Sequence, residues 1–292
     1  MKLIQKLIIH SFLMLLVVFC MPSCQREDIN NSSEPTENED PGGSGGSGGS
    51  EDDGLCKDAD GNIYQTVVIG NHEWMAENLR STHFADGTPI TLSHLFSETA
   101  PYRYCPAHDE QYVPTYGYLY NWPAVMHNAG GSNSNPSGVQ GICPSGWHVP
   151  SDAEWDEMES TLTDENVHYS FNTLESGCVG DHAGKLAGQG WRTSNLEGVP
   201  GNINDPNHNT SGFSAMPAGW RNGAYEDEED VYKYLGFGRV ACFWSSSPYN
   251  FSMGSMHFHF AISRSLEYNR SCVSRGTSNK DCAYSVRCVK DY

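Results

Sequence analysis

The stretch Cys143-Pro144-Ser145-Gly146-Trp147-His148-Val149-Pro150-Ser151-Asp152-Ala153-Glu154-Trp155 decides how the chain is read. Pro150 precedes a helix start, Ser151 supplies the N-cap, and Glu154, three residues on, completes a capping box. Trp155, Met158 and Leu162 recur at helical spacing, an apolar stripe with acids on the other side. Upstream, Asp58-Ala59-Asp60-Gly61-Asn62 is a turn cluster, and Ile63–Ile69 and His72–Leu79 flank Gly70-Asn71 as a hairpin. Downstream, a second short helix is predicted over Asp181–Ala187, with late strands at His257–Ile262 and Ser285–Val289. Asn128–Gly141 and Leu196–Ser211 read as loops, rich in Asn, Gly, Ser and Pro. The whole is a loop-rich α+β domain running from Gly54 to Tyr292.

The first 53 residues carry no core. Lys2 and Lys6 precede the apolar run Phe12–Phe19, which is far shorter than the roughly 20 residues that span a bilayer. Met21-Pro22-Ser23-Cys24 then resembles a lipobox, predicting a signal peptide over 1–23 and a lipid anchor on Cys24. Cys20 follows bulky Phe19 and is the poorer position. Residues 24–53 form an acidic Gly/Ser tether, with nine acidic side chains against Arg26 and a Gly-Gly-Ser repeat in the middle. Gln25-Arg26-Glu27-Asp28 resembles the surface-export signals of lipoproteins in the Bacteroidetes. The expected location is the outer membrane, facing the exterior, with membrane contact through the anchor alone.

Charge excludes one class of partner. The 292 residues hold 17 Lys+Arg against 36 Asp+Glu, a formal net charge of −19. From Gly54 onward 14 basic residues oppose 27 acidic ones, so the domain itself is acidic. Nucleic acid, which needs phosphates neutralised, is not a partner. Eight cysteines remain beyond Cys20 and Cys24: Cys56, Cys105, Cys143, Cys178, Cys242, Cys272, Cys282 and Cys288. In an exported chain an even count predicts disulfides, with Cys143 before the helix bonded to Cys288 in the last strand. No CxxC pair supports a structural zinc.

Several phrases, in order, resemble the Fibrobacter succinogenes major paralogous domain family. They are Asp60-Gly61-Asn62, Trp74-Met75-Ala76-Glu77-Asn78-Leu79, Tyr116-Gly117-Tyr118-Leu119-Tyr120-Asn121-Trp122 and the Cys143–Trp155 stretch. Gly212-Phe213-Ser214-Ala215-Met216-Pro217-Ala218-Gly219, Phe243-Trp244-Ser245-Ser246-Ser247 and Ser285-Val286-Arg287-Cys288-Val289-Lys290 follow. The resemblance implies a C-type-lectin-like fold, shared more distantly with formylglycine-generating domains. It further implies paired N- and C-terminal strands, one or two helices flanking a twisted antiparallel sheet, and an irregular loop region as binding face. It assigns no activity.

Catalysis finds little support in the residues. No nucleophile-elbow motif is present from Gly54 onward, and formylglycine-type chemistry requires a reactive cysteine pair where disulfides are the simpler use. The Glu-Pro-Asn and Trp-Asn-Asp elements of calcium-dependent lectins are absent. Glu226, Asp227, Glu228, Glu229 and Asp230 offer hard oxygens for Ca²⁺ but lack a calcium-loop spacing, so they read as a solvated loop and no cofactor is expected. His257 and His259 alternate on one strand face and read as ordinary surface or packed histidines. Trp220, Arg221, Asn222, Tyr225 and Trp244 combine rings with hydrogen-bonding groups, the pattern of a glycan site. The reading is a non-enzymatic surface lipoprotein that binds a glycan or protein ligand or mediates adhesion. The rival readings are a structural envelope or appendage component and, less favoured, a formylglycine-generating type of enzyme.

Overall fold

The computed structural model describes residues 55–164, 177–223, 234–253 and 256–292, and Leu55–Tyr292 forms one compact unit. The signal peptide, Cys24 and the tether lie outside the described residues, as do Tyr225 and the acidic run 226–230. No helix among the described residues is long and apolar enough to cross a membrane.

In chain order the strands begin with β1 (Cys56–Lys57), β2 (Ile63–Tyr64), β3 (Thr66–Ile69), β4 (His72–Met75), β5 (Thr91–Leu92) and β6 (Tyr102–Tyr104). Helix α1 (Val113–Tyr116), β7 (Leu119–Asn121), α2 (Trp122–Met126), β8 (Trp147–His148), α3 (Asp152–Ser160), β9 (Gly177–Val179) and α4 (Ala183–Leu186) follow. The chain ends with β10 (Trp220–Arg221), β11 (Tyr234–Leu235), β12 (Val240–Met253), β13 (Met256–Glu267), β14 (Val273–Asn279), β15 (Ala283–Tyr284) and β16 (Val289–Lys290). They assemble as a β1–β2 ladder and three small sheets, ordered β11-β10-β15-β7-β6-β5, β12-β13-β14-β9 and β3-β4-β16-β8. The architecture is α+β and mostly strand, divided among short sheets rather than carried by one, because Gly, Asn and Pro interrupt nearly every strand after a few residues. Among the described residues the strand ladders are antiparallel except β5–β6, while the isolated bridges Ala187–Ala215, Gly219–Ala241 and Phe243–Ser285 are parallel.

The local signals explain the first elements. Asp58 closes the β1–β2 turn by accepting hydrogen bonds from the backbone of Asp60 (3.0 Å) and Asn62 (2.9 Å) and from the Tyr64 hydroxyl (2.5 Å). Gly61, at φ +84°, takes the left-handed position such a turn needs. β3 and β4 form the expected hairpin about Gly70-Asn71, with Ile69 opposite His72. At α3 the capping box is complete: Ser151 Oγ accepts from Glu154 N, and Glu154 Oε2 accepts from Ser151 N (2.9 Å). The second short helix forms as α4, and 128–141 and 196–211 contain no regular element. Ser285–Val289 does not form a continuous strand. It passes between sheets, Ser285 bridging Phe243 and Val289 pairing with both Trp74 and His148. The C-terminal strand thereby lies between β4 and β8.

Two cores result. Trp74, Trp155, Phe213 and Phe243 pack with ring centroids 5.0–6.0 Å apart between α3 and the sheets. Tilted and edge-on contacts of this kind add to the burial of the rings. The second core surrounds the Cys143–Cys288 disulfide, which spans 145 residues. Cys178 and Cys272 form the other bond.

The eight-cysteine framework is corrected here: Cys56, Cys105, Cys242 and Cys282 are free thiols. All four are buried in the disulfide-centred core, where they act as small hydrophobes. Burial pushes the Cys56 and Cys282 thiols up to about 12 and raises those of Cys105 and Cys242, so none is poised to react.

The acids of α3 are not a solvated face. Asp152, Glu154, Asp156 and Glu159 are all buried. Arg264, reaching in from β13, donates to Asp152 (2.5 Å), Asp156 (2.5 Å) and Glu159 (2.6 Å). Arg275 of β14 donates to Asp152 at 2.7 Å, and His182 lies 3.3 Å from Glu159. Burial alone would raise the Asp152 and Glu159 carboxyls, but the guanidinium charges outweigh it and hold both below their ordinary range. His148 sits between Glu154 and Asp291, 2.6 Å from each. This ionic layer bolts α3 to the long β12–β13 sheet.

Candidate ligand-binding site

Register places Arg221 on β10, between the edge strand β11 and β15 in the six-stranded sheet. β10 pairs with β11 through Arg221 and Tyr234 on one side, and with β15 through Arg221 and Ala283 on the other. The guanidinium carbon lies 4.4 Å over the Tyr104 ring and 6.0 Å from that of Tyr234. Nη2 donates to the His94 carbonyl at 2.8 Å, while Nε and Nη1 are buried with no partner among the described residues. Asp281, in the turn before β15, is also buried, and its Oδ1 has no partner among the described residues. Burial, then the charge of Glu98, pushes the Asp281 carboxyl up to about 6 against the pull of Arg221. Gly223 presses on that carboxylate: a Cβ there would stand 2.2 Å from Asp281 Cγ.

Rings frame the pair. His108 stacks on Tyr234 at 5.2 Å and 5°, and its Nε2 lies 3.0 Å from His94 Nδ1. Tyr102 and Tyr234 are half-buried against the same cluster. Each buried polar atom without a partner costs about 1–3 kcal/mol, so three in one place make this the least satisfied polar cluster of the described core. Chemically the patch offers donors from Arg221, an acceptor from Asp281 and aromatic faces beside them.

The sequence-predicted residues divide. Trp220 is half-buried, with its ring against Gly236. Arg221 is wholly buried, and its guanidinium is held in the aromatic cluster. Asn222 is half-buried, its Oδ1 3.9 Å from Cys282 Sγ. Trp244 is corrected: it is fully buried, donates its indole N–H to the Tyr120 carbonyl (2.8 Å) and packs 4.4 Å from Tyr284, so it fills the core. Tyr225 and residues 226–230 are outside the described set, as is the side chain of His257. His259 is exposed, its Nδ1 3.0 Å from Asn250 Oδ1. No group of three or more His, Cys, Asp or Glu among the described residues is arranged to hold a metal ion. Sequence reasoning missed His94, His108, Tyr234 and Asp281, because no local pattern ties them to Arg221; Tyr234 comes through the β10–β11 register, Asp281 through the β10–β15 register, and His94 and His108 through tertiary contacts.

An open groove of about 570 Å³, lined by Asp60, Asn62, Glu77, Arg80, Thr82 and Tyr118, is a weaker candidate. Its charges are already matched. Asp60, held down to about 2 by bonds from Thr82, His83 and Ser81 that outweigh its burial, has no spare acceptor role, and Glu77 pairs with Arg80 at 2.8 Å.

The molecule is thus a disulfide-stapled α+β domain with a polar-aromatic patch on one of its small sheets. The Fibrobacter succinogenes major domain family model matches residues 67–290, and the chain belongs to that family. No curated protein and no solved structure matches the chain.

Proposed function

We propose that the chain is a lipoprotein anchored at the outer membrane through Cys24. Its domain faces the exterior as a non-enzymatic binding or adhesion module for glycans, built on a C-type-lectin-like fold. The lipobox and the acidic tether support the anchor and its exposure. The insertion of β16 between β4 and β8 favours the lectin-like fold, in which the chain ends are paired.

One observation carries the ligand class. Arg221 Nε and Nη1 and Asp281 Oδ1 have no partner among the described residues and lie beside tyrosine and histidine rings. Sugar hydroxyls both accept and donate, so one ligand satisfies Arg221 and Asp281 together while its apolar face lies on a ring. No cation takes part, and binding is expected to survive EDTA. The test is a glycan and matrix-protein array probed with the chain and with Arg221→Gln. Loss of a glycan signal in a variant with unchanged circular dichroism supports the reading; silence of the wild-type chain on both arrays sinks it.

A further inference from the structure

The long hairpin outruns its sheet. β14 pairs with β13 only from Phe260 to Ser265. Beyond that point, among the described residues, the two strands pair only with each other, up to Met253 opposite Met256. Tyr249 stands opposite Phe260, and Phe251 opposite Phe258. Opposed residues of an antiparallel pair share a face, as do residues two apart on one strand. The four rings therefore lie on one side of the arm, while Asn250 and His259, bonded to each other, occupy the other.

Phe251 and Phe258 have centroids 6.0 Å apart with planes at 27°, and Phe258 and Phe260 lie 6.1 Å apart at 3°. Core aromatic pairs in this protein are mostly tilted or edge-on; on the arm Phe251, Phe258 and Phe260 are near-parallel in a row, and they and Tyr249 are each half-buried. From Val240 to Ser263 the chain has no Asp, Glu, Lys or Arg, although the whole carries −19.

We propose that this aromatic face is a stacking platform for a neutral, flat polysaccharide chain. It rests on the glycan-binding reading above but uses a surface other than the Arg221–Asp281 patch. The absence of charge removes any basis for holding an ionic polymer. A second copy is a poorer occupant. Four rings of about 200 Å² each, more than half covered already, leave at most roughly 300–400 Å² per copy, and a stable dimer buries about 800 Å² on each partner. A ribbon of linked sugars instead lies along a row of rings, here about 6 Å apart, making one small contact per ring. A row also makes affinity grow with chain length, which the single Arg221–Asp281 patch does not.

The test uses the full-length chain in detergent, with insoluble β-glucan as one probe and short soluble oligosaccharides on the array as the other. Phe251→Thr with Phe258→Thr keeps strand-forming residues and removes two rings. It is expected to lower retention on the polymer at least about tenfold, the cost of truncating central aromatic contacts, while array binding stays unchanged. Phe251→Tyr with Phe258→Tyr, which keeps both rings, is expected to bind as the wild type does. Polymer retention unaltered by the threonine pair, with the array still positive, overturns the platform and leaves the glycan reading standing. No polymer binding, together with a dimer in sedimentation that the threonine pair dissolves, also overturns it and makes the face a self-association surface. Silence on both probes removes the platform along with the reading it rests on.

Discussion

Replacing Arg264 with methionine tests the claim that α3 is held by buried ions. The guanidinium makes contacts of 2.5–2.6 Å with Asp152, Asp156 and Glu159, whose side chains are 0–7% exposed. In Arg264→Met all three carboxylates lose this guanidinium, while Asp152 keeps Arg275 and Glu159 keeps His182. Removing one partner of a buried ion pair costs about 3–5 kcal/mol, because the remaining charge is stranded in a poor solvent. Methionine refills much of the volume, so the loss is electrostatic, about 4 kcal/mol. At 2–4 °C per kcal/mol for a domain of this size, Tm should fall by about 8–16 °C. The pH dependence is the sharper part. Asp152 and Glu159 have folded carboxyls held below their ordinary values of 3.8 and 4.5. Their stabilisation is therefore present above those values and lost as pH falls through the lower folded ones. In the variant the stranded carboxyls take up protons as the cheapest relief, so the deficit against wild type should shrink on going from pH 7 toward pH 4. Urea unfolding followed by circular dichroism at both pH values measures it. A deficit under about 1 kcal/mol at pH 7, or one that fails to narrow in acid, refutes the ionic account of this layer. A cycle with Glu159→Gln isolates the direct pair: the double variant should recover part of the loss.

Three further outcomes follow from the same structure. Burial alone would lower the imidazole of His148, but Glu154 and Asp291 outweigh it and raise it above 6.5. The stabilisation it gives is full below 6.5 and lost as pH rises through the raised folded value. Asp291→Asn should therefore be less stable than wild type below pH 6 and converge with it in alkali; urea midpoints that stay parallel from pH 5 to 9 contradict this. Cys143→Ser with Cys288→Ser opens a 145-residue loop and should lose up to about 5 kcal/mol, seen as a lower urea midpoint, whereas an unchanged midpoint would mean the bond constrains nothing. Thiol titration without reductant should find the four thiols Cys56, Cys105, Cys242 and Cys282 only after denaturation; rapid labelling of the native domain would show them accessible and revive a thiol-based chemistry.

What the sequence disclosed follows from the range of the interactions. The β3–β4 hairpin and the capping box of α3 are made by residues within a few positions of one another, and both are legible. The Cys143–Cys288 bond is legible for another reason: one cysteine abuts a well-signalled helix and the other the last strand. Arg221 was visible as a residue, but its site was not. Asp281 comes to it through the pairing of Arg221 with Ala283, and His94 through a backbone carbonyl 127 residues away. Trp244 misled, since an aromatic followed by three serines looks like a wet loop. The serines are in fact buried, Ser245 and Ser247 bonding to backbone carbonyls of Ile262 and Ser132.

The acids of α3 give the most general lesson. Helical periodicity separates apolar from charged positions but carries no information on whether the charged side meets water or an arginine. Asp152, Asp156 and Glu159 recur at spacings of four and three, which puts them on one face whether that face is solvated or buried. What resolves the two cases is a pair of arginines on neighbouring strands, Arg264 and Arg275, which oppose each other in the β13–β14 ladder. Two like charges paired across a sheet repel unless anions lie over them, so this cross-strand arginine pair requires an acidic partner element. Among the described helices only α3 carries more than two acids. The arginine pair and the acidic helix therefore specify each other, and the docking of α3 on the long sheet is written in the two together, not in either alone.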